Sequence, residues 1–75
     1  MSTLAEAIRE ELMASNAEYR RLREEHTRYA SQLDSLAAKN FLTEEEKLEE
    51  VRLKKLKLRV KDRMEMLVRQ AQAVQ

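Results

Sequence analysis

The chain of 75 residues contains no glycine and no proline. Because these two residues supply most tight turns between strands, their absence argues against a fold built on a β-sheet. Cysteine is also missing, which excludes disulfides and thiolate metal sites. Charged residues make up 39% of the chain, compared with about 25% in an average domain. The sequence therefore predicts a small all-α protein that forms a single domain over residues 1–75.

The charge is nearly balanced, with a net value of +1. The sequence has no apolar run of about 18 residues, and its first residues, MSTLAEAIREEL, are too charged for a signal peptide. We therefore expect a cytoplasmic protein without a membrane partner. A chain of about 70–80 residues rarely obtains more than about 3–5 kcal/mol from one core. Self-association is the expected source of additional stability.

A first helix is predicted over residues 3–38. Thr3 followed by Glu6 is a capping box, in which each side chain binds a backbone N–H of the other residue. A coiled-coil seam then recurs at alternating steps of three and four residues. Its positions are Ala5, Ile8, Leu12, Ser15, Tyr19, Leu22, His26, Tyr29, Leu33 and Leu36. The stretch from Tyr19 to Leu36 is its most regular part. A second capping box, Ser15 with Glu18, leaves an interruption near residue 15 open as an alternative.

A turn is predicted over residues 39–43, where Asn40 can adopt the left-handed conformation that ends helices. Thr43 and Glu46 form a third capping box within an acidic run, so a second helix is predicted over residues 44–73. A connection this short makes the two helices antiparallel neighbours. The predicted fold is an all-α antiparallel two-helix hairpin, a helix-turn-helix that resembles a coiled coil.

The second helix has apolar residues on two sides. One stripe should face the first helix and consists of Leu53, Leu56, Val60, Met64, Leu67, Ala71 and Val74. The opposite side carries Leu48, Val51, Leu58 and Met66. A lone hairpin cannot bury both sides of one helix, and burying each large aliphatic residue stabilises by about 1.5–3 kcal/mol. The second set is therefore the candidate interface of a homo-oligomeric bundle, a dimer or a higher assembly.

The second helix also contains a basic segment, residues 52–63, with seven Lys or Arg and one acid. Such a segment can neutralise phosphates, as in an accessory nucleic-acid-binding protein. The candidate contacts for that function are Arg52, Lys55, Arg59 and Arg63. The other interpretation is pairing with acids of the first helix, namely Glu11, Glu18 and Glu25. Acids over residues 44–50 and the lack of aromatics for base stacking favour pairing.

No pattern in the sequence predicts a catalytic residue, a cofactor or a metal site. His26 is the only histidine, and Arg23 occupies the position of the carboxylate in a Glu-x-x-His metal pair. We expect His26 to be half-buried in the seam, facing the basic helix and satisfied by a partner there. A pH-dependent assembly switch is the alternative. The predicted function is a non-enzymatic interaction or scaffolding module whose protein partner is not identified.

Two stretches of the sequence form a recognisable pattern. The first is Tyr19-x-x-Leu22-x-x-Glu25-His26 with Tyr29 and Leu33, and the second is Leu53-Lys54-Lys55-Leu56-Lys57-Leu58-Arg59-Val60-Lys61-Asp62. With Phe41-Leu42-Thr43 between them, these stretches resemble the YdcH-like family of small bacterial proteins, over about residues 15–69. Tyr19 stands where that family usually has Phe. The resemblance implies a short, self-associating helical hairpin in the bacterial cytoplasm and supplies no activity, substrate or catalytic residue.

Overall fold

The computed structural model describes residues 3–74, so residues 1, 2 and 75 of the predicted domain lie outside the described residues. This part of the chain contains three helices and no strand, which confirms the all-α class. The helices are α1 (Leu4–Ser15), α2 (Ala17–Ala37) and α3 (Glu44–Ala73). At about 1.5 Å per residue, α3 alone accounts for most of the 48 Å long axis. None of the helices in the described range is long and apolar enough to cross a membrane.

The first helix predicted over residues 3–38 is in fact two helices, because the chain is interrupted at Asn16. Asn16 has an extended backbone, with φ −118° and ψ 109°, and its Oδ1 accepts a hydrogen bond from the Tyr19 N–H at 2.9 Å. It is therefore the N-cap of α2. Arg20 donates to the Met13 carbonyl at 3.0 Å, one of the carbonyls left without a helical partner at the end of α1.

The alternative of an interruption near residue 15 agrees with this break, but the predicted capping residue is wrong by one position. Ser15 is the last residue of α1, and its hydroxyl donates to the Glu11 carbonyl at 2.8 Å. A serine that bonds back into its own helix is not available to cap the next one. The capping role therefore falls to Asn16.

The end of α2 also differs from the prediction. Ala38 keeps a right-handed conformation, with φ −76° and ψ −12°, and none of the described residues has a positive φ. The prediction that Asn40 adopts a left-handed conformation is therefore wrong. The helix ends instead in a tightened turn, in which the Lys39 N–H donates to the Leu36 carbonyl at 3.1 Å. This turn satisfies a terminal carbonyl without any left-handed residue.

The capping boxes at Thr3 and Thr43 are confirmed. The Glu6 N–H donates to Thr3 Oγ1 at 3.1 Å, and the Glu46 N–H donates to Thr43 Oγ1 at 3.1 Å. Lys39 pairs with Glu46 across the connection. The hydrogen bond from Lys39 and a second from the Thr43 backbone hold the pKa of the Glu46 carboxyl below its ordinary value. The first turn of α3 is thus fixed by its own cap and by the end of α2.

The main core lies at the end of the molecule where all three helices meet. Its buried members are Ile8 and Leu12 of α1, Tyr19 and Leu22 of α2, and Val60, Leu67 and Val68 of α3. Toward the connection, the α2 residues of the seam are only half-buried. Within the stretch from Tyr19 to Leu36, Tyr19 and Leu22 are buried in the core, and the residues nearer the connection are less buried because α1 adds a third layer only at the other end.

The apolar stripe of α3 that was predicted to face the first helix is buried or half-buried over most of its length but not at its end. Leu53, Val60 and Leu67 are buried, whereas Val74 is 85% exposed at the end of the helix. Val68 is buried as well, although it lies beside the predicted stripe. The break between α1 and α2 lets α1 pack against this part of α3, so α3 has two neighbours there. A two-helix interpretation could not anticipate the second one.

The molecule is elongated and has a large surface for its length. Its radius of gyration is 15.3 Å, whereas a compact domain of this length has about 11 Å. Its accessible surface is 5849 Å², which is about 1,000 Å² more than the scaling law for compact monomers gives. The surface outside the core includes large apolar side chains, among them Phe41, Leu48 and Leu58.

Candidate functional site

The predicted oligomer interface lies on the side of α3 that faces away from the other helices. Its residues are Leu48, Val51, Leu58 and Met66, and they are 72%, 48%, 59% and 48% exposed. None of them belongs to the core cluster. We call this set the outer face of α3.

Two opposite charges share the outer face. Lys55 and Asp62 are seven residues apart, which is about two turns of helix, so both side chains point to the same side as Leu58. Both are exposed. Neither forms an ion pair with another side chain in residues 3–74. The outer face thus combines apolar residues with one open cation and one open anion.

The predicted nucleic-acid contacts do not form one open surface. Arg52 is bound to Glu49 on its own helix. Arg63 binds Glu18 through a fork, with Nε to Oε2 at 3.2 Å and a terminal guanidinium nitrogen to Oε1 at 3.1 Å. The remaining two candidates, Lys55 and Arg59, are exposed.

Pairing of the basic segment with acids of the preceding helices is more limited than predicted. Of the three acids proposed as partners, Glu18 pairs with Arg63, and within the described range this is the ion pair that joins α2 to α3. Lys54 pairs with Glu50 on its own helix at 3.7 Å. Both members of the Glu18–Arg63 pair are about 40% exposed, so solvent screens them and the pair contributes about 0.2–1 kcal/mol.

An open groove of about 610 Å³ runs between the three helices. Arg9 of α1, Arg23 and His26 of α2, and Lys57 and Lys61 of α3 line it. Its other lining residues are Tyr19, Thr27, Ala30, Met64, Glu65 and Val68. We call this feature the basic groove, because four fixed cations face a single carboxylate.

His26 lies half-buried in the basic groove and faces α3, as predicted, but within residues 3–74 its ring forms no hydrogen bond to the cross-helix partner that was predicted for it. Its pKa is lowered from the ordinary value, mainly because burial disfavours the charged ring. The positive charges of Lys57, Arg23 and Lys61 lower the pKa further. The imidazole is therefore uncharged at neutral pH, and its ring nitrogens are a donor and an acceptor.

The basic groove was not predicted from the sequence, because the candidate anion contacts were chosen from the other flank of α3. Lys57 and Lys61 lie on the flank opposite Arg52 and Arg59, and their spacing of one helical turn is visible in the sequence. The contribution of Arg9 could not be found that way, because its approach depends on the break between α1 and α2. In residues 3–74, the structure brings together no group of three or more side chains that could hold a metal ion.

The chain matches no protein-family model, no curated protein and no solved structure. The resemblance to the YdcH-like family therefore stays a prediction. What the protein does has to be inferred from the outer face of α3 and the basic groove.

Proposed function

We propose that this protein is a non-enzymatic helical interaction module that associates with itself through the outer face of α3. The observation that carries the proposal is the exposure of Leu48, Val51, Leu58 and Met66 on one side of one helix. Isolated exposed apolar residues are normal. A helix at the surface of a monomer, however, usually has a polar outer side, and four large apolar residues on that side indicate a contact surface.

The proposed module is an antiparallel hairpin of α2 and α3, with α1 folded against its open end. Two ion pairs support this arrangement. Lys39 meets Glu46 at the connection, and Glu18 meets Arg63 far from it. Residues near the start of α2 therefore lie beside the later part of α3.

The proposed dimer pairs two copies of α3 in antiparallel orientation about a two-fold axis beside Leu58. In this register Val51 lies opposite Met66 of the second copy, and Lys55 lies opposite Asp62. Each contact occurs twice, because the same surface is used by both copies. The charge complementarity selects the antiparallel orientation, since a parallel in-register pair would place like charges together.

The size of the surface fits the proposal. A stable interface covers about 800 Å² on each partner. The surface in excess of a compact monomer is about 1,000 Å², so one such interface would bring the exposed area per chain into the usual range. The resemblance to the YdcH-like family implies a self-associating helical hairpin in the bacterial cytoplasm, which agrees with the proposed assembly.

The substitution Leu58→Glu tests the proposed dimer. It places two carboxylates beside the two-fold axis, and we expect the dissociation constant of the dimer to rise by about a hundredfold or more. Sedimentation equilibrium over a range of concentrations measures this constant. Circular dichroism should report unchanged helicity, because Leu58 is 59% exposed and lies outside the core.

Leu4→Glu is the matched control. Leu4 is 62% exposed on α1, and a carboxylate in the first turn of a helix is tolerated, so this variant should dimerise like the parent. A parent protein that sediments as a monomer up to its solubility limit would contradict the proposal. So would a Leu58→Glu variant with the parent's dissociation constant.

A further inference from the structure

We propose that the basic groove binds a small polyphosphate anion, in which two or three phosphates are directly linked. Inorganic triphosphate and nucleoside triphosphates share this chemistry. The site is separate from the outer face of α3, since none of the four outer-face residues lines the groove.

The charge in the groove is not compensated by the protein. Arg9, Arg23, Lys57 and Lys61 converge from three helices, and none of them forms an ion pair with a carboxylate of residues 3–74. The single acid of the lining, Glu65, leaves three positive charges in excess. Like charges held around a concave surface raise the local potential and attract anions.

The spacing of the cations fits linked phosphates better than a nucleic-acid strand. Lys57 and Lys61 are one helical turn apart, about 6 Å along α3, and Arg9 and Arg23 add one cation each from α1 and α2. The positive charge is thus concentrated within one turn of each helix. A strand needs a basic track along the surface, but the acids of residues 44–50 occupy α3 toward the connection.

The remaining lining fits the rest of such a ligand. The volume of about 610 Å³ falls within the range of about 300–1,000 Å³ of small-molecule sites. Ala30, Met64 and Val68 provide apolar contacts for a nucleoside or a similar group. The Thr27 hydroxyl and a ring N–H of His26 are available as uncharged donors to phosphate oxygens.

His26 provides a direct readout, because it is the only histidine and its two imidazole C–H resonances can be assigned without ambiguity in NMR spectra. The charged groups that line the groove with its ring are Arg9, Arg23, Lys57, Lys61 and Glu65. A bound polyphosphate would offset the cations that lower the pKa of His26. The pKa of His26 should therefore rise when the ligand binds.

The experiment is a calorimetric titration of the full chain with sodium triphosphate, and separately with ATP, at about 50 mM salt. We expect saturable binding of one anion per chain and a rise in the pKa of His26. The double variant Lys57→Gln/Lys61→Gln should bind at least about tenfold more weakly. The control Lys47→Gln/Lys54→Gln removes the same charge from α3 outside the groove and should bind like the parent.

Three results would overturn the proposal. They are the absence of saturable binding of both ligands, equal weakening by the two double variants, and tighter binding of a short single-stranded DNA than of triphosphate. Tighter binding of ATP than of triphosphate would support a role for the apolar lining, and equal binding would support recognition of the phosphates alone. Leu58→Glu should leave the titration unchanged, so the groove and the dimer are tested independently.

Discussion

At the scale of single residues, the lowered pKa of His26 affects both the stability of the fold and the charge of the basic groove. Its ring is half-buried beside Lys57 and Lys61, and the fold holds its pKa below the value of an exposed histidine. The folded protein therefore prefers the neutral ring. Protonation has to work against both burial and the neighbouring cations.

This preference predicts a pH dependence of stability. The unfolded chain has a histidine pKa of about 6.5, and the folded protein has a lower one. Unfolding therefore takes up a proton in the window between the two values, so the stabilisation is fully present above about pH 6.5 and is lost as the pH falls through the lower pKa. Since solvent screens a half-buried ring, we expect a loss of less than about 1 kcal/mol.

Urea unfolding between pH 7.5 and 5.5 measures this loss. The variant His26→Gln keeps a polar side chain without a titrating group, and its stability should change less over the same interval. Carboxylates contribute little in this range, because their ordinary pKa values are about 4. An identical pH dependence in the two proteins would show that His26 is not its source.

At the scale of elements, α1 completes both the core and the basic groove that α2 and α3 form. Its two buried residues, Ile8 and Leu12, complete the core against α2 and α3. The same packing brings Arg9 to the basic groove. A helix as short as α1 has little stability by itself, so its stability comes from tertiary contacts. The same contacts make α1 one wall of the basic groove.

Ile8→Ala tests the packing of α1. Ile8 is 1% exposed, and truncation of a buried isoleucine to alanine costs about 2–5 kcal/mol. The free energy of unfolding, measured in urea by circular dichroism, should fall by that amount. Leu4→Ala removes a similar side chain from an exposed position of the same helix and should change the stability by less than about 0.5 kcal/mol. Equal effects would mean that Ile8 does not anchor α1.

The difference between local and tertiary causes explains which features the sequence could predict. The capping boxes at Thr3 and Thr43 follow from residues three positions apart, and both were predictable. The break between α1 and α2 was open from local spacing as well, and Asn16 caps α2 by accepting from Tyr19 three residues on. The burial of Val68, by contrast, depends on the packing of α1 against α3, which is a tertiary contact. The basic groove depends on the same packing of α1, which the periodicity of apolar residues in the sequence does not predict.

At the scale of the whole molecule, the proposed dimer is a long rod with its charges arranged for antiparallel pairing. In the proposed register, Lys55 of each copy would lie beside Asp62 of the other. Such pairs contribute more to orientation and selectivity than to affinity. Their main effect is to disfavour the parallel arrangement.

An exchange of charges tests this orientation. Lys55→Asp places two acids together at both ends of the contact, and Asp62→Lys places two cations together, so each single variant should weaken the dimer by about tenfold. The double variant Lys55→Asp/Asp62→Lys restores opposite charges and should regain most of the affinity in sedimentation experiments. Weakening in the double variant equal to the sum of the single effects would rule out this register.

The position of the core at one end has a consequence for how the molecule opens. Three helices enclose Ile8, Tyr19 and Val68, but only α2 and α3 pack near the connection. Regions with few buried contacts undergo local unfolding more often than the rest of a fold. Amide hydrogens beside the connection will therefore exchange with solvent long before those around Tyr19. Of the outer-face residues, Leu48 lies in the part of α3 that unfolds locally more often, whereas Met66 lies in the part that the three-helix core stabilises.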